Sequence, residues 1–559
     1  MSTMSPVQVE IIRNALVSAA EEMSVTIWRT SRSSVVREIL DYSTCVFDAN
    51  GQSVAQAARM PVHLNSMAAC LEDLISHHIP LDDWNDGDVI ITNDPYSGGQ
   101  HLPDIQTFRP VFLHKRRVAI AGILVHHLDV GGGAPGSYYA EATEVFQEGF
   151  RIPPMKIVEG GKRNDAIVKL LLANSREPEN VGGDFSSQLA ALETGTATLV
   201  RIGERYGAND LAEACKQIQA ASEAEIRSIF NEIPDGVYEF EDFVDDDGIE
   251  LDRQLRVHAR LSVEGGSVEV DFSGSDSQAK GPVNCTLNMT RSAVICGALM
   301  SIGREVPANA GCYRPISVLA PEGSIVNANF PAPVANRMAV GHRVVNAVMG
   351  AFAKALPDRV PASYYGVSYA YALNAINADG SRQVYFDLEC GGWGGHPEGD
   401  GASGFSCGFH NIANTPVEMI ENDYPITFLR YSLVPNSGGE GKFRGGLGLA
   451  REFRLDAPEG LFAANLDRFK VAPYGLSGGK PGCPGRMIIR RAGAEEEYDL
   501  PSKVAGLAMK SGDVVRLETA GGGGFGDPGE RDDKSRADDF AEGYVDPNLE
   551  PLARYMVKR

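Results

Sequence analysis

The sequence predicts a mixed α+β fold, rich in β-structure: an N-terminal α/β region with a helical segment, then a β-rich remainder with interspersed helices. Three observations carry this. Apolar residues recur at helical spacing from Ile12 through Leu16, Ala19, Met23 and Ile27. The stretch "GVYEFEDFVDDDGIELDRQLRVHARLSVEGGSVEVDFSGS" alternates apolar and polar residues, as β-hairpins do. The 61 glycines in 559 residues exceed the usual share and call for many tight turns.

The elements follow in order. Pro6 suits the start of the first helix, where its missing N–H costs nothing. "REILDYSTCVFDANGQSVAQ" reads as a hairpin around the turn "DANG", and "MPVHLNSMAACLEDLISH" returns to helical spacing. Val89 to Asn93 is a strand that feeds the loop "NDPYSGGQHLPDI". "VAIAGILVHHLDVGGGAPGS" is a buried strand that ends in polar residues and a glycine loop. From about Asp165 to Phe230 the pattern is helical, with breaks expected at "REPENVGG" and near Gly203. Two more helices are expected near Thr290–Ile302 and Arg343–Ala355, and Tyr424 to Leu517 reads as strand and turn. The expected regions are 1–230 (metal-binding and catalytic), 231–423 (central, β-rich), 424–528 (C-terminal β) and a charged tail, 529–559, on the surface or against a partner. No internal repeat is evident.

A formal charge of −23 disfavours nucleic acid and anionic membranes as partners. The nine cysteines are scattered, odd in number and without a C-x-x-C pair, which argues against a disulfide framework and a thiolate zinc site. Cys45, Cys285 and Cys312 read as buried apolar-type residues. The N-terminus has no basic region followed by an apolar block, and no apolar run is long enough for a membrane span, so the expected location is the cytoplasm.

The chemistry-bearing residues cluster in two neighbouring stretches. "NDPYSGGQHLPDIQTF" places His101 and Asp104 three residues apart in a turn-rich loop after a strand. The strand "AIAGILV" then delivers His126 and His127, with Asp129 just beyond. Imidazole nitrogens and carboxylate oxygens are ligands for zinc, manganese or ferrous iron. Asp41, on the early hairpin, is a candidate fourth ligand. The bland alternative is an Asp104 turn cap and hydrogen-bonded core histidines. "GGGGFG" is a loop rather than a phosphate cradle, since no lysine–threonine follows, and no G-x-S-x-G elbow is present.

"NDPYSGGQHLPDI", "HHLDVGG", "KGPVNCTLNMTRSA", "NTPVEMIENDYP", "RYSLVPNSGGEGKFRGGLG" and "GGGGFGDP" match, in order, the blocks of the hydantoinase B/oxoprolinase family, which the chain resembles from about Pro6 to Pro528. The resemblance implies a divalent metal on Asp41, His101, Asp104 and His126, with His127 the adjacent alternative; zinc suits this set, and manganese or iron would fit. Asp129 is the first candidate for a base or supporting group, with a turn-capping role beside it, and His127 is a further catalytic candidate. The resemblance also implies an obligate hydantoinase A-type ATPase partner of actin-like fold, which uses ATP to phosphorylate a small cyclic amide, in a heterotetramer or larger complex. This chain, without a Walker A motif, would hydrolyse the activated ring. Hydantoin, N-methylhydantoin, oxoproline and caprolactam all remain open as the ring. The alternatives are a subunit of an ATP-dependent ketone carboxylase and a non-catalytic scaffold subunit.

Overall fold

The structure, a computed structural model, describes residues 4–63 and 65–549. Helix α1 (Pro6–Thr30) starts at a reciprocal Ser5–Gln8 cap and buries the expected face, Ile12 through Ile27. After a short α2 (Ser34–Arg37), strands β1 (Tyr42–Asp48) and β2 (Ser53–Gln56) form the expected hairpin. The Asp48 carboxylate ties its turn by accepting from the amides of Asn50 (2.8 Å) and Gln52 (3.0 Å). Helix α3 (Ser66–Asp73) precedes β3 (Val89–Thr92), β4 (Asp104–Leu113), β5 (Arg116–His126), β6 (Met155–Glu159) and β7 (Lys162–Arg163). These strands make one antiparallel sheet in the order β2-β1-β5-β4-β3-β6-β7.

Both faces of this sheet are covered, and the period of two sorts β5 between them. Ala119, Ala121, Ile123 and Val125 join the core under α1 and two long helices, whereas Ile120 and Leu124 join a smaller core with Met67, Cys70 and Leu71 of α3. The helices α4 (Asp165–Asn174), α5 (Pro178–Tyr206) and α6 (Ala208–Phe230) follow. The break expected at "REPENVGG" falls at its start, where α4 ends at Asn174 and α5 begins at Pro178, and the one expected near Gly203 comes only at Gly207, between α5 and α6; Gly182, Gly183 and Gly203 themselves lie inside α5. Those glycines allow close packing instead. A Cβ on Gly183 would lie 2.4 Å from Arg32 Cδ, and one on Gly203 would lie 3.3 Å from Leu113 Cδ2.

The alternating stretch forms β8 (Gly236–Val244), β9 (Leu255–Glu264) and β10 (Ser267–Asp271). Helices α7 (Leu287–Ile302) and α8 (Ala310–Tyr313) lead to β11 (Ile316–Leu319), which closes the second sheet in parallel with β10. Helix α9 (Arg337–Ala355) packs against β8, β9 and α7, and it starts at Arg337 rather than near Arg343. It is buried on nearly every side, so it lacks the amphipathic stripe that marks a helix start in sequence.

Strands β12 (Ala370–Ile376) and β13 (Arg382–Leu388), helix α10 (Val417–Asp423), and strands β14 (Ile426–Leu433), β15 (Leu449–Leu455), β16 (Glu459–Asn465), β17 (Arg486–Arg490), β18 (Glu497–Leu500), β19 (Lys503–Lys510) and β20 (Val514–Glu518) complete the β-rich part. They form two sheets, β13-β12-β16-β19 and β14-β15-β20-β17-β18. The first pairs strands from either side of the expected 423/424 boundary, so that boundary divides no structural unit. The glycine-rich segments around 391–395, 438–446, 475–482 and 521–526 stack on one another. Gly446 N–H donates to Trp393 O (2.7 Å), Gly522 N–H to Gly446 O (2.9 Å), Gly395 N–H to Gly523 O (2.8 Å) and Gly524 N–H to Lys480 O (2.8 Å). A Cβ on Gly522 would sit 1.9 Å from Trp393 O, so the stack admits no side chain there.

The tail docks on the chain itself: Asp539, in α11 (Asp533–Ala541), pairs with Arg444 (3.1 Å) and Arg531 (2.8 Å). The remainder of the expected tail, 550–559, lies outside the described residues. All nine cysteines are free, and Cys45, Cys285 and Cys312 are buried as expected. Among the described residues no helix is long and apolar enough to cross a membrane.

Candidate metal centre

Asp104 begins β4 directly opposite His126, the last residue of β5. On the other side of β5, Tyr42 of β1 pairs with Val125, and the His126 amide donates to the Asp41 carbonyl (3.1 Å). Asp41, His126 and Asp104 therefore stand in a row across three adjacent strands, where side chains of one face meet. His101 joins them from the loop before β4, its Nε2 3.1 Å from Asp104 Oδ1. Ligand atoms of His101, Asp104 and His126 all come within 4.8 Å of one another. Asp41 sits beside this trio, its Oδ1 3.9 Å from Nε2 of His63.

These donors are buried, and most of their atoms lack a hydrogen bond. Among the described residues, both ring nitrogens of His101 and of His126, Asp41 Oδ1 and Asp104 Oδ1 make no hydrogen bond, the 3.1 Å approach of His101 to Asp104 lacking hydrogen-bond geometry. Polar atoms are seldom left so in a protein interior, and two imidazoles with two carboxylates form a donor set that fits a divalent cation such as zinc. Burial, reinforced by the Arg337 guanidinium, pulls His101 down to about 4, and burial holds His126 well below the ordinary histidine value. Both imidazoles are thus neutral, the form that binds metals. Burial alone would raise the Asp104 carboxyl, but His101 and Arg337 outweigh it and hold Asp104 well below the usual carboxylate range. Asp41 goes the other way, pushed up to about 8 by burial and by the charge of Asp104.

The structure separates the remaining candidates from this cluster. His126 continues the side-chain row of Ile120 and Leu124, whereas His127 shares the row of Ile123 and Val125 and faces α5, with Nε2 3.5 Å from Gln188 Oε1. Asp129 fills its oxygens with the loop. Oδ1 accepts from the amides of Gly131 (2.9 Å) and Arg176 (3.0 Å), and Oδ2 from the Gly136 amide and Arg176 Nη1 (both 3.0 Å). Neither reaches the trio, and Asp129 takes the turn-capping role.

Residues not singled out in the sequence complete the surroundings. Arg337 Nη2 donates to Asp104 Oδ2 (2.9 Å) across 233 residues of chain. Phe386 stacks on His126 (ring centroids 5.5 Å apart), and Tyr138, at the end of the glycine loop, packs against His101 and His126 (both 6.3 Å). A cleft of about 770 Å³, lined in part by Ser43, Met60, Trp393, Cys407 and His410, lies next to the centre. Ser43 Oγ is 2.9 Å from Nδ1 of His63, which in turn faces Asp41. A smaller cavity of about 410 Å³, lined by Arg32, Glu177 and Tyr424 among others, touches none of the cluster. A second group, His342, Cys407 and His410, has its ligand atoms within 4.8 Å of one another. Most of its nitrogens are already engaged: Tyr364 meets His342 Nδ1 (3.0 Å), and Ser368 bridges His342 Nε2 (3.3 Å) and His410 Nε2 (2.7 Å).

Fold and site together define an α+β protein with a buried histidine–carboxylate centre at the end of a seven-stranded sheet. The chain belongs to the hydantoinase B/oxoprolinase family, whose model matches residues 5–528. It is 30% identical to 5-oxoprolinase 1 of Arabidopsis thaliana over 93% of this chain and 42% of that one. The crystal structure of ATP-dependent caprolactamase from Pseudomonas jessenii superposes with a TM-score of 0.92 at 28% identity, over 98% of this chain and 95% of that one. The nucleotide-free structure of acetone carboxylase shares the fold, with a TM-score of 0.90 at 18% identity over 97% and 78% of the two chains. Hydantoinases, oxoprolinases and caprolactamase, the family's members, are cyclic amide hydrolases.

Proposed function

We propose that this chain is the hydrolytic subunit of an ATP-dependent cyclic amide hydrolase, and that it opens a ring amide activated by phosphorylation on a partner ATPase. The observation that carries this reading is the buried trio His101, Asp104 and His126 with Asp41 beside it, whose ring nitrogens, Asp41 Oδ1 and Asp104 Oδ1 make no hydrogen bond among the described residues. These four residues would hold a divalent cation, with zinc best suited to the set; such an ion lowers the pKa of water and stabilises negative charge. Arg337 holds Asp104 in place, while Phe386 and Tyr138 wall the centre off from bulk water.

A ring amide resists water because resonance stabilises it. Phosphorylation of its oxygen turns the carbon into an electrophile. One water then adds its oxygen to that carbon, and the ring C–N bond breaks with its electron pair and a proton going to nitrogen. A second water releases phosphate from the resulting acyl phosphate. ATP is consumed on the partner, since this chain shows no nucleotide-binding motif. The test is a reconstituted complex carrying Asp104→Ala, assayed separately for assembly, ATP turnover and ring opening. We expect assembly and residual ATP turnover with ring opening lost. Undiminished ring opening would remove Asp104 from the reaction, and failure to assemble would assign the centre a structural role.

A further inference from the structure

Arg337 is the first residue of α9 and only 3% exposed, yet just one of its three guanidinium nitrogens has a hydrogen-bond partner among the described residues. Nη2 bonds Asp104, while Nε and Nη1 have no hydrogen-bond partner among the described residues. A guanidinium carries five N–H donors, and unmade bonds to a buried charged group are the costly ones. Asn336, which precedes it at the same helix end, is equally buried, and its Nδ2 is also unpartnered. The positive end of a 19-residue helix adds to the pull on an anion.

Resting on the function proposed above, we infer that Arg337, with Asn336 beside it, forms an oxyanion subsite that holds the phosphoryl group of the activated substrate and the phosphate it releases. The planar fork of arginine matches such oxygens in a way that a lysine ammonium does not.

The test titrates the zinc-loaded full-length chain with inorganic phosphate by calorimetry, with acetate as the carboxylate comparison. Arg337→Lys and Arg337→Met are run alongside, with zinc content measured for each. We expect phosphate to bind, Arg337→Lys to weaken it at least tenfold with zinc retained, and Arg337→Met to weaken it further. Zinc binding without phosphate binding, or phosphate held equally by Arg337→Met, overturns the subsite and leaves the metal reading intact. A chain that binds no zinc overturns the proposed function itself. Acetate bound as tightly as phosphate, and equally dependent on Arg337, overturns the phosphoryl assignment. Crystals of the wild-type chain soaked in phosphate give a reading that needs no variant: phosphate oxygens within hydrogen-bond distance of Arg337 Nε or Nη1 are expected, and phosphate bound only elsewhere overturns the subsite.

Discussion

Asp104 meets His101 with one oxygen and Arg337 with the other, so it positions the loop histidine while shared between two cationic or metal-binding groups. Removing His101 and Asp104 together leaves His126 and Asp41 alone. We expect His101→Ala/Asp104→Ala to bind less than a tenth of the wild-type metal, read by elemental analysis of the purified chain; normal content would refute the ligand assignment. Glu148 offers a check by pH. Its Oε1 accepts from the amides of Val334 and Ala335 (both 2.7 Å), and burial pushes the carboxyl up to about 8. A carboxyl raised in the folded state costs stability as pH climbs from the unfolded value, near 4.5, toward 8, by at most about 1.4 kcal/mol per pH unit. Glu148→Gln does not titrate, so its thermal midpoint relative to wild type should rise from pH 5 to pH 8; a constant difference would rule this out. His101, Asp104 and His126 were legible in the sequence because one loop and one strand end bring them together locally. Arg337 was not, because it meets Asp104 only through tertiary folding and stands in no motif. Choosing between His126 and His127 needed the strand's facing, which α5 reveals through Gln188.

At the scale of elements, glycine is where the sequence was hardest to read. Hairpins and the alternating strands β8 to β10 were plain from period and turn residues. The glycines of α5 look like breaks but mark close contacts, and a single sequence cannot distinguish the two uses. Two positions of α5 separate them experimentally. A Cβ at Gly182 would make ordinary contact with Leu172 at 3.4 Å, so Gly182→Ala should stabilise the protein by about 0.5–1 kcal/mol through helix propensity. A Cβ at Gly195 of the same helix would lie 2.3 Å from Sδ of the fully buried Met23, so Gly195→Ala should destabilise by about 1–3 kcal/mol. Denaturant titrations of the two variants should therefore move in opposite directions, and matching shifts would contradict the packing account. Gly136 belongs with the turns: its φ of +65° and a would-be Cβ 3.2 Å from Ala372 let the glycine loop lie against β12.

Over the whole molecule, the centre lies in the N-terminal sheet but borrows Arg337 from α9 and Phe386 from β13. The expected N-terminal region thus supplies the candidate ligands, and the β-rich remainder adds Arg337 and Phe386 to their surroundings. Composition and order of motifs showed the α+β class; they did not show that β12 would pair with β16 across the expected boundary, since strand pairing over long separations leaves no local trace. The proposed division of labour with an ATPase gives a prediction at this scale. The purified chain alone should hydrolyse no lactam or hydantoin, with or without ATP, and adding the partner should yield ring opening with phosphate release in step. Turnover by the chain alone would end the two-subunit scheme.

The glycine stack has a consequence for the order of assembly. Its segments, spread from about 391 to 526, bond backbone to backbone across one another at their glycines, so each finds those hydrogen bonds only once the others have arrived. Closing loops of that length must come before the reward, which places the stack late in folding, after the local hairpins. Once closed, it fastens the C-terminal strands to the segment that follows β13, and no single strand can peel away without stranding backbone donors on the rest. The amides of Gly446, Gly522 and Gly524 should then exchange with deuterium only when the whole β-rich part opens, as slowly as the amides of α9.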